Sequence, residues 1–168
     1  MGTSEDALAI ADLHAESWRV NYRGEYQDQY LDGEVFTDRR RVWSERFSSP
    51  SSSQHVVVAV LDDQLVGFAC VYGGEDELWG SFLDNIHVRP GHQSHGIGAG
   101  LMKRVFSWCQ EYYRDFGLYL WVLDSNKRGQ KFYSKLGAVD KGGEYSEPAG
   151  GGRIHGRRFV WERLPYGS

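Results

Sequence analysis

With 168 residues and a formal net charge of −4, the chain has room for one domain with a full core and not two. It also lacks the basic excess by which nucleic-acid binders displace counterions. Cys70 and Cys109, the only cysteines, have no ligand-like spacing, which speaks against a disulfide framework or a zinc site. No basic segment followed by an apolar stretch opens the chain, and no apolar run approaches bilayer length, so a soluble, cytoplasmic protein without membrane contact is expected.

In chain order, Thr3-Ser4-Glu5-Asp6 reads as a helix cap with acidic residues in the first turn, and Leu8, Ile10, Leu13 and Ser17 follow at helical spacing, so a helix is expected over 5–22. A second helical region follows Gly24 and ends near Phe47, with Gly33 able to divide it. Residues 48–53 are an exposed loop. The period then changes: residues 56–61 and 65–72 are rich in Val and read as an antiparallel hairpin turning at Asp62-Asp63. Gly73 to Gly80 reads as the next turn, Phe82 to Val88 as a strand, and Pro90-Gly91 as its stop. A helix with a wide apolar face (Leu101, Met102, Val105, Phe106, Cys109) covers 98–115, Leu118 to Leu123 is a further strand, and a short helix over 127–136 ends at Gly137. Two strands, near 138–146 and 154–163, flank the glycine-rich 148–152. This order implies one domain over 1–168: a mixed α/β sheet with helices on both faces and a parallel crossover from strand 82–88 to strand 118–123.

Two stretches carry chemistry. Gln93-Ser94-His95-Gly96-Ile97-Gly98-Ala99 follows a strand and opens a helix. Its N–H groups therefore point out of a helix N-terminus, where a phosphate is stabilised. A dinucleotide fingerprint fails because Leu101 replaces its third glycine, and no P-loop Gly-Lys-Ser/Thr is present. In the second stretch Asn126 offers an amide, and Tyr133 lies seven positions on, about two helical turns away on the same side. Together they point to a diphosphate-bearing cofactor and a proton donor.

On these residues the chain resembles the GNAT superfamily of acyl-coenzyme A-dependent N-acyltransferases over nearly its whole length. The family's pattern of Gln or Arg, two residues, Gly, one residue, then Gly or Ala is matched by Gln93 to Gly98, and Asn126 to Gly137 resembles its second motif. The resemblance implies a mostly antiparallel sheet whose central parallel pair splays. It implies that residues 93–99 cradle the pyrophosphate of acetyl-CoA, that backbone near His87 and Val88 pairs with the pantetheine arm, and that Asn126 contacts the cofactor. Tyr133 matches the usual general acid, a phenol that is protonated near neutral pH and can give its proton to the departing thiolate.

The acceptor, a primary amine of a small molecule or peptide, must lose a proton before attack, and Asp84 is the first candidate base or ammonium anchor, ahead of His87 and a water relay. Simple alternation puts Asp84 on one face with Ile86 and Val88, and His87 on the other with Leu83 and Asn85, unless a bulge intervenes. Trp18, Arg19, Tyr22 and Arg23 form either an aromatic wall with an anion clamp for the acceptor, or ordinary core with a solvated basic face. The expected function is acetyl transfer to an amine by direct attack, the alternative a non-catalytic acyl-CoA sensor or interaction domain. No metal is expected, and a homodimer is the base-rate expectation for assembly.

Three departures from the family's pattern stand out. The chain opens almost directly at the first helix's cap without the short strand that commonly precedes it, Gly129 stands where Ala is frequent, and Ala138 follows Gly137 where an aromatic is common.

Overall fold

The valine-rich runs and their turns build a single sheet. In the computed structural model, which describes residues 1–147 and 152–165, six strands follow the order β1-β2-β3-β4-β6-β5. They are β1 (Gln54–Leu61), β2 (Gln64–Asp76), β3 (Gly80–Val88), β4 (Leu118–Leu123), β5 (Val139–Ser146) and β6 (Ile154–Trp161). Neighbours are antiparallel except β3 and β4, which are parallel as the crossover requires. Most of the glycine-rich stretch between β5 and β6 lies outside the described residues.

Helices α1 (Ala7–Asn21) and α2 (Val35–Ser48) cover one face, and α3 (Ile97–Tyr112) and α4 (Lys127–Lys135) the other. A 3-10 turn at Ser4–Asp6 leads into α1, where the Thr3 N–H donates to the Asp6 carboxylate at 2.8 Å. Ile10, Leu13 and His14 then bury one stripe of α1, and Val35, Arg39 and Trp43 do the same for α2, both at helical spacing. Trp43 is fully buried, and its indole N–H donates to His14 Nδ1 at 3.0 Å. Trp43→Phe keeps most of that apolar contact but leaves the buried imidazole acceptor unpaired, so urea unfolding should show a loss of about 2 kcal/mol. A loss under about 0.5 kcal/mol would show that the bond contributes nothing net.

The second helical region is interrupted at Gly33 as expected, by a π-helical turn over Tyr30–Glu34. Two element boundaries differ from expectation. The expected turn over 73–80 shrinks to residues 77–79, because β2 runs on to Asp76, whose Oδ1 accepts from Leu78 and Trp79 N–H at 2.8 Å each. Gly73 marks a close approach instead: a Cβ there would sit 2.1 Å from the Tyr113 ring. Helix α3 ends at Tyr112, short of 115, because Tyr113 leaves the helical backbone conformation (φ −138°, ψ 39°).

The feature that positions the site is a break between β3 and β4. Their ladder has two register pairs, Ser81 with Leu118 and Phe82 with Tyr119, and the last is capped by the stacked Phe82 and Tyr119 rings at 5.0 Å. Beyond Phe82 the strands diverge, so among the described residues the β4-facing edge of β3 from Leu83 to Val88 has no strand beside it. The expected splay is present.

Candidate active site

A cleft of about 620 Å³ opens at this divergence, bounded by β3, β4, the loop before α3, and helices α1 and α4. The loop earns its shape from backbone geometry. Ser94 (φ 69°) and Gly96 (φ 78°) both take left-handed conformations, and Gly96 caps α3 without a side chain. The first intrahelical bond at this end runs from Gly100 N–H to Gly96 O at 2.9 Å, which leaves the N–H groups of Ile97, Gly98 and Ala99 without acceptors in the helix. At Gly98 a Cβ would lie 3.3 Å from the Phe132 ring, so glycine also gives room for α4 to pack against the start of α3.

Gln93, Ser94, Gly96, Gly98, Ala99 and Asn126 line the cleft, as do His87 and Val88. His95 and Ile97 do not contribute side chains to the lining. His95 is exposed with Nδ1 2.9 Å from Gln93 O, and Ile97 packs into the core beneath α3. Asn126 caps α4, its Oδ1 accepting from Gly129 N–H at 2.8 Å. A Cβ at 129 would come 2.7 Å from Asn126 Nδ2, so glycine gives this amide its room. Arg128, which the sequence reading left without a role, bridges α4 to the loop by donating to Gln93 Oε1 at 2.7 Å and to Ser94 Oγ at 3.1 Å. With Lys131 and Lys135 it makes the α4 wall cationic.

Tyr133 faces the same cleft, packed among Phe132, Phe159 and Trp161. Burial pushes its phenol well above the usual tyrosine range. Tyr22 of α1 is shifted up as well, first by burial and then by Tyr26, Tyr133 and Asp84; Tyr22, Asp84 and Tyr133 all line the cleft.

The α1 side differs from simple alternation. The β2–β3 register runs from Cys70 opposite Asn85 to Val71 opposite Leu83, so Asp84 is the extra residue of a β-bulge. As a result Leu83, Ile86 and Val88 pack toward α3, whereas Asp84 and His87 both face α1 and α2. Asp84 Oδ2 pairs with Arg46 Nη1 at 2.7 Å and accepts a short hydrogen bond from Asn85 Nδ2. No sequence spacing links Arg46 to Asp84; only the packing of α2 on the sheet does. His87 Nδ1 lies 2.7 Å from Ser17 Oγ, and its ring stands 4.8 Å from that of His14. Burial, aided by the Arg39 charge, pushes His87 down to about 4, so it is neutral near pH 7.

Of the four residues expected as wall and clamp, only Tyr22 lines the cleft. Trp18 lies under Arg39 at 4.4 Å, Arg19 sits over Phe36, and Arg23 pairs with Asp28 and Asp32.

Known proteins share this fold. The family model described as the Acetyltransferase (GNAT) family matches residues 8–138. Among curated proteins, Rv2669 of Mycobacterium tuberculosis, named an uncharacterised N-acetyltransferase, is 29% identical over 82 residues, which are 49% of this chain and 51% of that protein. The thialysine N-ε-acetyltransferase of Bos taurus is 40% identical over 62 residues, 35% of this chain and 34% of that protein. The chain thus spans about half the length, or less, of these curated relatives. Among solved structures, the paiA N-acetyltransferase of Thermoplasma acidophilum in complex with coenzyme A superposes with a TM-score of 0.70 at 18% identity, covering 95% of this chain and 96% of that one. The yncA protein of Salmonella typhimurium, solved with acetyl-CoA, gives 0.69 at 14% identity, covering 99% and 94%. At those identities the structures establish a common fold.

Proposed function

The chain belongs to the GNAT acetyltransferase family, and from that premise we propose that it is an N-acetyltransferase that moves an acetyl group from acetyl-CoA to a primary amine of a small molecule or peptide by direct attack. One observation carries the reading. The gap where β4 leaves β3 after Phe82 ends at the left-handed turn and free N–H groups that open α3. A slot edged by unpaired strand backbone and closed by an anion-binding helix start fits an extended amide arm with phosphates at its end.

In this reading the β3 backbone near His87 and Val88 pairs with the arm. The loop from Gln93 to Gly96 and the N–H groups of Ile97, Gly98 and Ala99 hold the pyrophosphate, Arg128 adds positive charge beside them, and Asn126 meets the arm from the α4 side. Bound acetyl-CoA supplies an acetyl thioester and leaves as a thiol. Tyr133 gives the proton that makes the thiol a leaving group, and burial keeps that proton on the phenol until it is needed. Asp84 takes the proton of the acceptor nitrogen. It is preferred to His87 because both of its contacts fall on Oδ2, and among the described residues no group hydrogen-bonds Oδ1. His87 is held neutral and weakly basic, with Nδ1 on Ser17.

The names of the curated relatives support amine acetylation, and the bovine one is named for a side-chain amine of an amino acid analogue. The direct test is thiol release from acetyl-CoA against pools of small amines and short peptides. Release that depends on both reactants is expected; silence across every pool by a protein that still binds acetyl-CoA would overturn transfer and leave a sensor.

A further inference from the structure

The bulge that turns Asp84 toward α1 turns Asn85 there too, because Cys70, its partner across the ladder, faces the α1–α2 core. Asn85 is only 7% exposed, yet it lines the cleft. Its Nδ2 donates to the Asp84 carboxylate, which can only accept, so the orientation of the amide is fixed chemically and not by choice of fit. The other end, Oδ1, is buried and has no hydrogen-bond partner. An acceptor left in that condition is destabilising unless an N–H reaches it.

The buried and half-buried arginines on this side are paired. Arg46 pairs with Asp84 at 2.7 Å, Arg39 with Asp38 at 2.8 Å, and Arg89 with Glu16 at 3.1 Å. His14 and His87 are both neutral near pH 7, since burial lowers each of them. The other polar lining groups here are the hydroxyl of Ser17, the amide of Asn21 and the phenol of Tyr22, while the unmatched cations of the lining stand on α4.

We propose that the Asp84–Asn85 pair is the seat of the acceptor nitrogen, with Asn85 Oδ1 accepting its N–H, and that the acceptor is a primary amine carrying no second charged group. This rests on the acetyl-transfer reading above. Among the described residues, the α1 side of the cleft offers a second ammonium no unpaired carboxylate and a carboxylate no unpaired cation, the cations of the lining standing on α4. Either would be desolvated without compensation.

Tyramine, spermidine and glycine serve as monoamine, polycation and zwitterion probes, assayed by thiol release, with acetyl-CoA binding measured by calorimetry. The wild type should favour tyramine over both others by about tenfold or more in kcat/KM. Asn85→Ala should raise the KM for tyramine about tenfold with kcat within about threefold and acetyl-CoA affinity unchanged. Asn85→Asp, of the same shape, adds a charge at the seat and should move the spermidine-to-tyramine ratio about tenfold toward spermidine. A purely structural role for Asn85 would not move that ratio. Active enzyme with unchanged amine KM in Asn85→Ala, or a wild type that prefers spermidine or glycine, overturns this proposal alone. Bound acetyl-CoA with no turnover of any amine overturns the transfer reading and this one with it.

Discussion

Tyr133→Phe is expected to lower turnover by about a hundredfold or more while leaving acetyl-CoA affinity within about twofold, because removing a positioned general acid costs that much and removes nothing from binding. The substitution is well isolated. Among the described residues no hydrogen bond is made by the Tyr133 hydroxyl, and its ring keeps its contacts with Phe132, Phe159 and Trp161 in the phenylalanine variant. Fold stability should therefore change little, and a fall in rate would report chemistry. The buried phenol holds its proton through the whole range in which an amine acceptor reacts, so no loss of rate is expected on the alkaline side from its ionisation. Turnover within about threefold of wild type would remove Tyr133 from the mechanism and point to water as the donor.

Gly80→Ala should be the most damaging single change for the fold, with a loss of about 3 kcal/mol or more in urea unfolding. Gly80 has φ 90°, and a Cβ there would sit 2.3 Å from Gly117 O and 2.6 Å from Gly117 N. Both opposing atoms are backbone and cannot swing aside. The contact matters because the next residue starts the parallel ladder: Ser81 N–H donates to Gly117 O at 2.9 Å, just before the two rungs that hold β3 to β4. Pushing the strands apart at that point should also weaken acetyl-CoA binding in whatever fraction folds. A loss under about 1 kcal/mol would mean that the pair is held by the Phe82–Tyr119 stack and not by the close approach at Gly80.

Much of this was legible from residue pattern alone. The hairpin turn at Asp62-Asp63 carries φ values of 49° and 59°, as a two-residue hairpin needs, and β4 begins and ends at Leu118 and Leu123 as read. Local chemistry sets these features, so a local reading finds them. What could not be read is what depends on two distant segments meeting. Arg46 reaches Asp84 only once α2 lies on the sheet. Gly73 resembles a turn residue until the Tyr113 ring is known to cross it. The facing of Asp84 escaped for a subtler reason: a bulge changes which side chains share a face without leaving any mark on composition.

That bulge can also be viewed as an insertion. On either side of Asp84 the β2–β3 ladder is already in step, with Val71 opposite Leu83 and Cys70 opposite Asn85. Were residue 84 removed, Leu83, Asn85, Ile86, His87 and Val88 would alternate as an ordinary strand, each still opposite its present partner. The residue bearing the carboxylate is thus the one position in β3 that the sheet does not need for its pairing. If Asp84 is the base proposed above, fold and chemistry are separable there to the single codon, and a substitution at 84 leaves the register of the strand in place.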